Sequence, residues 1–480
     1  MGLDPDICYR ASASRDPRFD GRFFMGVTST GIYCRPICPA RQPRRANCLF
    51  FRYAAAAEAA GFRPCLRCRP ESAPGTPAWS GSHATVSRAL RLIDQRALEH
   101  AGMDELAARL GVGTRHLRRL LHEHVGASPL AMEQTRRLLF AKKLIMETSL
   151  SMAQVARNAG FGSVRRFNTA LRAAYGLTPS NLRRGHGRSV RAAGLTLSLA
   201  FRPPFHWQAL VSFLAQRAIP GLEEIGADFY RRTVAYPGVT GTIEVRPVPA
   251  AQHLRLTFPG QLAPHIGSLV QRVRNMFDLD ADPLRIADVL CRDKRLEPLV
   301  RQRPGLRIPG CWNPFELVVR AILGQQITVR GATTLATRLV HRFGRKLTGE
   351  QGDAHRWLFP TAAKLARADL TVIGLPRARA ATISGLSQAV SRKTLDLNVS
   401  EGLDETVARL CALPGLGAWT AHYVAMRAFG EPDAFPASDL GLRKALAVDQ
   451  EPLRPRDVIT MAESWRPWRA YATMHLWSQL

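Results

Sequence analysis

The chain has 480 residues, 46% of them hydrophobic and 22% charged, a length of roughly three average domains and a composition that excludes wholesale disorder. Its 67 Lys+Arg against 38 Asp+Glu leave a net charge of +29, divided as +6 over residues 1–80, +12 over 81–191 and +11 over the remainder. Such an excess points to a polyanionic partner, nucleic acid ahead of a membrane surface. No apolar run approaches the roughly 20 residues of a membrane span, and the N-terminus shows no basic-then-apolar leader; the expectation is a cytoplasmic protein with no membrane partner. Changes of pattern divide the chain into four modules, 1–80, 83–186, 195–303 and 304–480. The boundaries fall in a Pro/Gly/Ser-rich stretch at 72–82, in a basic stretch at 183–188, and where a helical pattern takes over after Pro309.

The first module holds six of the nine cysteines. Two close pairs, Cys34/Cys38 and Cys65/Cys68, supply the four thiolates of a tetrahedral Zn²⁺ site. Spacing alone leaves open whether that site is a closed structural one or carries a reactive thiolate. The motifs Thr30-Gly31-Ile32-Tyr33-Cys34-Arg35-Pro36-Ile37-Cys38 and Gly61-Phe62-Arg63-Pro64-Cys65-Leu66-Arg67-Cys68 closely resemble the N-terminal domain of the Ada methylation-response proteins. The resemblance implies a small α/β domain in which all four cysteines bind zinc and Cys34 accepts a methyl group from a DNA methylphosphotriester. Four thiolates on Zn²⁺ carry a formal −2, and methylating one leaves −1, which weakens the repulsion of DNA phosphate.

Residues 84–184 contain an internal duplication. Ala107–Gly113 and Ala156–Gly162 each place a helix before a glycine-bearing turn, and each is followed by a basic helix, 114–125 and 163–175. Thr114 and Ser163 are the expected N-caps, and residues 130–147 read as the connecting helix. Two helix-turn-helix units about 50 residues apart would present recognition helices to successive major grooves. The layout resembles the AraC-type DNA-binding domain, all-α, with Arg115, His116, Arg118 and Arg119 on the first recognition helix and Arg165, Arg166 and Asn168 on the second as DNA contacts.

From Leu195 the alternation of Leu195, Leu197, Leu199 and Phe201 reads as a strand, followed by strands at Ile243/Val245 and Leu254/Leu256/Phe258; this is the small antiparallel-sheet α+β module. In the last module, Leu413-Pro414-Gly415-Leu416-Gly417-Ala418-Trp419 sits between two apolar helical stretches. Such a turn, with Gly415 and Gly417, offers backbone N–H groups to a DNA phosphate. The hairpin and the downstream Pro436-Ala437-Ser438-Asp439 together resemble the helix-hairpin-helix DNA glycosylase superfamily, with Asp439 at its catalytic aspartate. Members that also nick the strand carry a lysine two positions after the last hairpin glycine; here that position is Trp419, which implies hydrolysis of the glycosidic bond alone.

Over residues 195–480, matched stretches such as Phe201–Trp207, Gly305–Cys311, Arg320–Gln326 and Trp465–Ala472 resemble AlkA-type 3-methyladenine glycosylases. That resemblance implies a base pocket lined by Trp419, Tyr423, Trp477 and Phe213, whose ring faces suit cationic alkylated purines. Gln326 occupies the position of that family's apolar wedge, and Leu440-Gly441 replaces an aromatic-aliphatic pair after the catalytic aspartate. Cys291, Cys311 and Cys411 read as buried small hydrophobes. The combined expectation is a multidomain α+β monomer with one Zn²⁺, acting on double-stranded and alkylated DNA. It would sense backbone methylation through Cys34, activate transcription with RNA polymerase, and excise alkylated bases with Asp439. The alternatives are a methylation-triggered regulator whose C-terminal half binds DNA without cleaving glycosidic bonds, and an enzyme whose front half only tethers it to DNA.

Overall fold

The computed structural model describes residues 3–73, 84–94, 97–184, 194–347, 356–397, 402–447 and 451–479; most of the 72–82 boundary stretch, and 185–188 of the second, lie outside them. The described residues form two compact units. One comprises 1–203, 248–271 and 279–281, the other 204–247, 272–278 and 282–480.

In the first unit a four-stranded sheet is built from Phe24–Val27, Ile32–Cys34, Cys48–Phe51 and Arg63–Pro64. The hairpin pairs Met25 with Cys34, while Tyr33 lies parallel to Pro64. This register puts one cysteine pair beside the other, because Cys65 donates its backbone N–H to the Tyr33 carbonyl at 3.0 Å.

The duplicated helices are real and in register. Thr114–Val125 buries Leu117, Leu121 and Val125, and Val164–Tyr175 buries Phe167, Leu171 and Tyr175 at matching positions. Both helices end on a glycine in the left-handed region, Gly126 at φ +78° and Gly176 at φ +69°, where a side chain would be strained. Ser163 caps its helix as expected, accepting the Arg166 N–H at 3.2 Å. Thr114 does not: Gly113 is the N-cap, and the Thr114 hydroxyl instead donates to Asp104 at 2.8 Å.

The connecting helix, Pro129–Glu147, packs against both helix-turn-helix units and the cysteine module. Glu58 accepts from Tyr33 Oη at 2.9 Å and from Thr135 at 2.5 Å. Lys142 is fully buried, 2.9 Å from Glu71 and 4.9 Å from the Tyr175 ring centroid. Leu195–Ala200 pairs antiparallel with His253–Phe258, and the alternating Leu195, Leu197 and Leu199 are buried.

The second unit is mostly helical. Glu223–Ile225, Tyr230–Tyr236 and Val239–Val248 make an antiparallel meander. Its first two strands have no sequence alternation to announce them, since the buried Arg232 sits where an apolar residue would be expected. A short ribbon, Arg345–Leu347 with Arg356–Leu358, interrupts the otherwise helical C-terminal region. The expected hairpin forms between helices Leu403–Cys411 and Ala418–Ala428. Gly415 is at φ +86°, and a methyl group there would run into the Thr382 side chain. Of the three later cysteines, the reading as buried hydrophobes is corrected: Cys411 is exposed and Cys291 and Cys311 are only partly covered, since Cys411 closes an exposed helix end and Cys311 borders a cavity.

Candidate functional sites

In the first unit the Sγ atoms of Cys34, Cys38, Cys65 and Cys68 all lie within 4.8 Å of one another, and all four residues are buried. Tetrahedral zinc with Zn–S near 2.3 Å needs sulfurs about 3.8 Å apart, so the set fits the ion. Four thiolates packed so closely repel one another, so all four ionise together only around a cation. This is a Zn²⁺ site.

Arg35 braces it. Its backbone N–H donates to Cys68 Sγ at 3.3 Å, its guanidinium donates to the Cys68 carbonyl at 3.0 Å, and it pairs with the buried Asp20. On the open side of the cluster is a cavity of about 560 Å³ lined by Cys34, Thr30, Arg41, Arg63 and Arg67. These three arginines are exposed and were not singled out from sequence, although each lies within three residues of a cysteine of the cluster.

Arg115, His116, Arg118 and Arg119 are exposed on the first recognition helix, and Arg165, Arg166 and Asn168 on the second, opposite the buried apolar stripes. Arg119 also pairs with Glu123 at 3.2 Å, a surface contact of little energetic weight.

In the second unit a cavity of about 800 Å³ brings together Asp439, Trp419, Tyr423, Trp477 and Phe213. Trp419, Tyr423 and Arg427 recur every four residues along Ala418–Ala428, so they share one helix face. The Trp419 and Tyr423 rings stack at 5.3 Å and 9°, and Trp477 meets Tyr423 at 6.2 Å and 48°.

Asp439 is the N-cap of Leu440–Ala445, accepting the Leu442 N–H at 2.9 Å. Its two carboxylate oxygens also accept indole N–H bonds, Oδ2 from Trp419 at 2.8 Å and Oδ1 from Trp477 at 2.9 Å. Capping and a charged site are therefore both present in one residue. Three fixed donors set the orientation of the carboxylate against the cavity. Leu440 points outward and is 53% exposed, while Gly441 borders the cavity, so no bulky side chain closes that wall.

Gln326 lies outside the cavity lining, exposed and at φ +58°. Its loop is tied down from two sides. Gln325 Nε2 donates to the Gly415 carbonyl at 3.0 Å and to Thr420 Oγ1 at 3.1 Å, and Arg379 donates to the Gln325 carbonyl at 2.7 Å. Hairpin and loop are thus joined by hydrogen bonds. Gly415 and Gly417 are both exposed at the hairpin turn.

Residues 7–71 match the metal binding domain of Ada, 106–185 a helix-turn-helix domain, 196–313 the AlkA N-terminal domain, and 319–470 the HhH-GPD superfamily of base excision DNA repair proteins. A relative from Mycobacterium tuberculosis, the probable bifunctional transcriptional activator/DNA repair enzyme AlkA, is 41% identical across 100% of this chain and 97% of its own length. DNA-3-methyladenine glycosylase 2 of Escherichia coli is 32% identical over 58% of this chain and 96% of its own. Among solved structures, a 3-methyladenine DNA glycosylase from Archaeoglobus fulgidus covers 58% of this chain and 97% of its own with a TM-score of 0.51; at 22% identity it speaks for the fold alone.

Proposed function

The chain belongs to the family of bifunctional transcriptional activator and DNA repair proteins of the AlkA kind, and from that premise we propose that it answers DNA alkylation in two ways. Methyl acceptance at Cys34 switches on transcription, and hydrolysis at Asp439 removes alkylated bases of the 3-methyladenine type. The division of labour follows four modules, 1–80, 83–186, 195–303 and 304–480, in a cytoplasmic monomer.

At the first site Cys34 Sγ attacks the methyl carbon of a methylphosphotriester. A C–S bond forms, the C–O bond breaks, and its electron pair stays on the phosphate oxygen, restoring the diester. Bound zinc supplies the means of keeping the four sulfurs as thiolates at neutral pH. The thioether is a poor leaving group, so the site turns over once. Arg41, Arg63 and Arg67, bordering the same cavity, suit the phosphate. Loss of one negative charge then favours DNA, with Arg115, Arg118, Arg119, Arg165 and Arg166 contacting successive major grooves and RNA polymerase as the downstream partner.

At the second site the damaged base leaves the duplex and enters the aromatic cavity. Trp419, Tyr423, Trp477 and Phe213 receive it, Gln326 fills the gap it leaves, and the hairpin at Gly415 and Gly417 holds the backbone. The observation that carries the reading is the Asp439 carboxylate, fixed between the indole N–H groups of Trp419 and Trp477 at the cavity wall. There it stabilises the oxocarbenium-like sugar as the base departs and orients the water that attacks C1′. With Trp419 in place of a lysine there is no amine to form a Schiff base, so the product is an abasic site.

The test is base release from methylated duplex DNA by the full chain and by Asp439→Asn. Free methylpurine with strand breaks only after alkali is expected, with release falling about 10²–10³-fold in the variant. Tight DNA binding without release by the unaltered chain would leave a methylation-triggered regulator instead. Footprinting with Cys34 free and methylated separates regulator from tether, since only a regulator binds a promoter in a methylation-dependent way.

A further inference from the structure

The lining of the base cavity carries cations, Arg217 and Arg427. Arg217, just beyond the helix Trp207–Ala215, lays its guanidinium on the Phe213 ring with Cζ 3.7 Å from the centroid. Arg427 approaches the same ring at 4.9 Å and the Tyr423 ring at 5.3 Å. The ring face that would attract a cationic base already carries protein cations.

The two arginines differ in how far their donors are used. Arg427 donates Nε to the Pro309 carbonyl at 2.6 Å, Nη2 to the Gly310 carbonyl at 3.1 Å and Nη1 to Tyr423 Oη. Arg217 donates to the Phe213 carbonyl at 3.0 Å and lines the cavity, and its five-donor fork has more N–H groups than that bond uses.

No carboxylate neutralises either one among the described residues. The nearby acids are committed elsewhere: Glu223 to Arg320 at 3.0 Å, and Glu316 to Arg232 at 2.9 Å and Arg320 at 3.0 Å. The phenol registers the resulting positive potential. Burial would raise it, yet the charges of Arg427 and Arg217 hold Tyr423 below its ordinary value.

We infer that Arg217 is a specificity-determining residue of base excision, a hydrogen-bond donor to the edge of a damaged purine that is uncharged before it leaves; the inference rests on the glycosylase reading above. When a neutral purine departs, the C1′–N9 bond breaks and its electron pair goes to the base. A guanidinium N–H on the carbonyl oxygen or ring nitrogen of that base stabilises the developing negative charge. Water oxygen bonds C1′ and gives up a proton, and the base takes one up from solvent. A cationic lesion departs as a neutral base and needs no such help; a fixed cation near it is a penalty.

The experiment compares single-turnover release of hypoxanthine, which is uncharged, and 7-methylguanine, which is cationic in DNA, by the full chain, Arg217→Gln and Arg217→Lys. Loss of one charge-assisted hydrogen bond predicts that Arg217→Gln lowers hypoxanthine release by about 10–100-fold, while 7-methylguanine release falls far less or rises. Arg217→Lys, which keeps the charge and loses the fork, falls between. Equal loss for both bases, or no loss of hypoxanthine release in either variant, would overturn the role of Arg217 alone. Failure of the unaltered chain to release either base would overturn the glycosylase reading, and this inference with it.

Discussion

The cysteine cluster and the Asp439 cavity solve opposite problems of charge. At the first, four anionic ligands converge in a buried place, and only a bound cation makes that stable. At the second, one carboxylate is held by three neutral N–H donors while cations line the same cavity. Under the proposed reactions the first site would be consumed, because its nucleophile becomes part of the product, and the second would survive, because its carboxylate stabilises charge without ending in a bond to the leaving base. The independence of the two sites can be measured.

The sharpest break of the comparison is Cys34→Ala, which is expected to abolish methyl uptake from methylphosphotriester DNA, as the attacking sulfur is removed, while base release continues. Release falling in parallel would show that the two sites depend on one another.

Next in size is Lys142→Met. Lys142 and Glu71 have side chains 1% and 0% exposed, and removing one partner of a buried pair costs about 3–5 kcal/mol. Arg69, 3.3 Å from Glu71, should keep the loss toward the lower figure. Chemical denaturation is expected to show the first unit destabilised and base release unaltered at temperatures where that unit stays folded.

A pH titration separates the units further. Burial and the charge of Arg303 hold His475, on the helix that carries Trp477, down to about 4. Between pH 6.5 and 4 the unfolded chain therefore binds a proton that the folded chain refuses. Stability of the second unit should fall as pH drops through that window, by roughly 3 kcal/mol in full. His475→Asn should flatten the dependence; an unchanged slope would place the acid sensitivity elsewhere.

The smallest effect tests the indole clamp. Trp477→Phe keeps a ring against Tyr423 but removes one N–H from Asp439, a charge-assisted bond of about 1.5–3 kcal/mol. Base release should drop about 10–100-fold, at temperatures where the variant remains fully folded. A drop in stability with no drop in release would make Trp477 a packing residue.

Much of this was legible in the chain because the signals are local. Two cysteine pairs with short internal spacing, a duplicated glycine turn with its apolar stripe, and a Gly-x-Gly hairpin each declare themselves within a few residues. Trp419 and Tyr423 sit four apart on one helix, so their sharing a face follows from helix geometry. The strands Glu223–Ile225 and Tyr230–Tyr236 were not legible, since a buried Arg232 bonded to Glu316 breaks the alternation that would mark them. The outward position of Cys411 was equally hidden, for composition does not say which end of a helix reaches solvent.

What the sequence by itself determined is the inventory: four cysteines for zinc, two basic recognition helices, a hairpin, and an aspartate downstream of it. Only the tertiary structure decided what surrounds each of them. Trp477 reaches Asp439 across 38 residues, Gln325 reaches Gly415 across 90, and Lys142 reaches Glu71 across 71. Arg217 and Arg427 meet on one Phe213 ring. Contacts over such separations have no local period to betray them; they are set by how helices and sheet pack, and packing fixes where a donor points and which charge it faces.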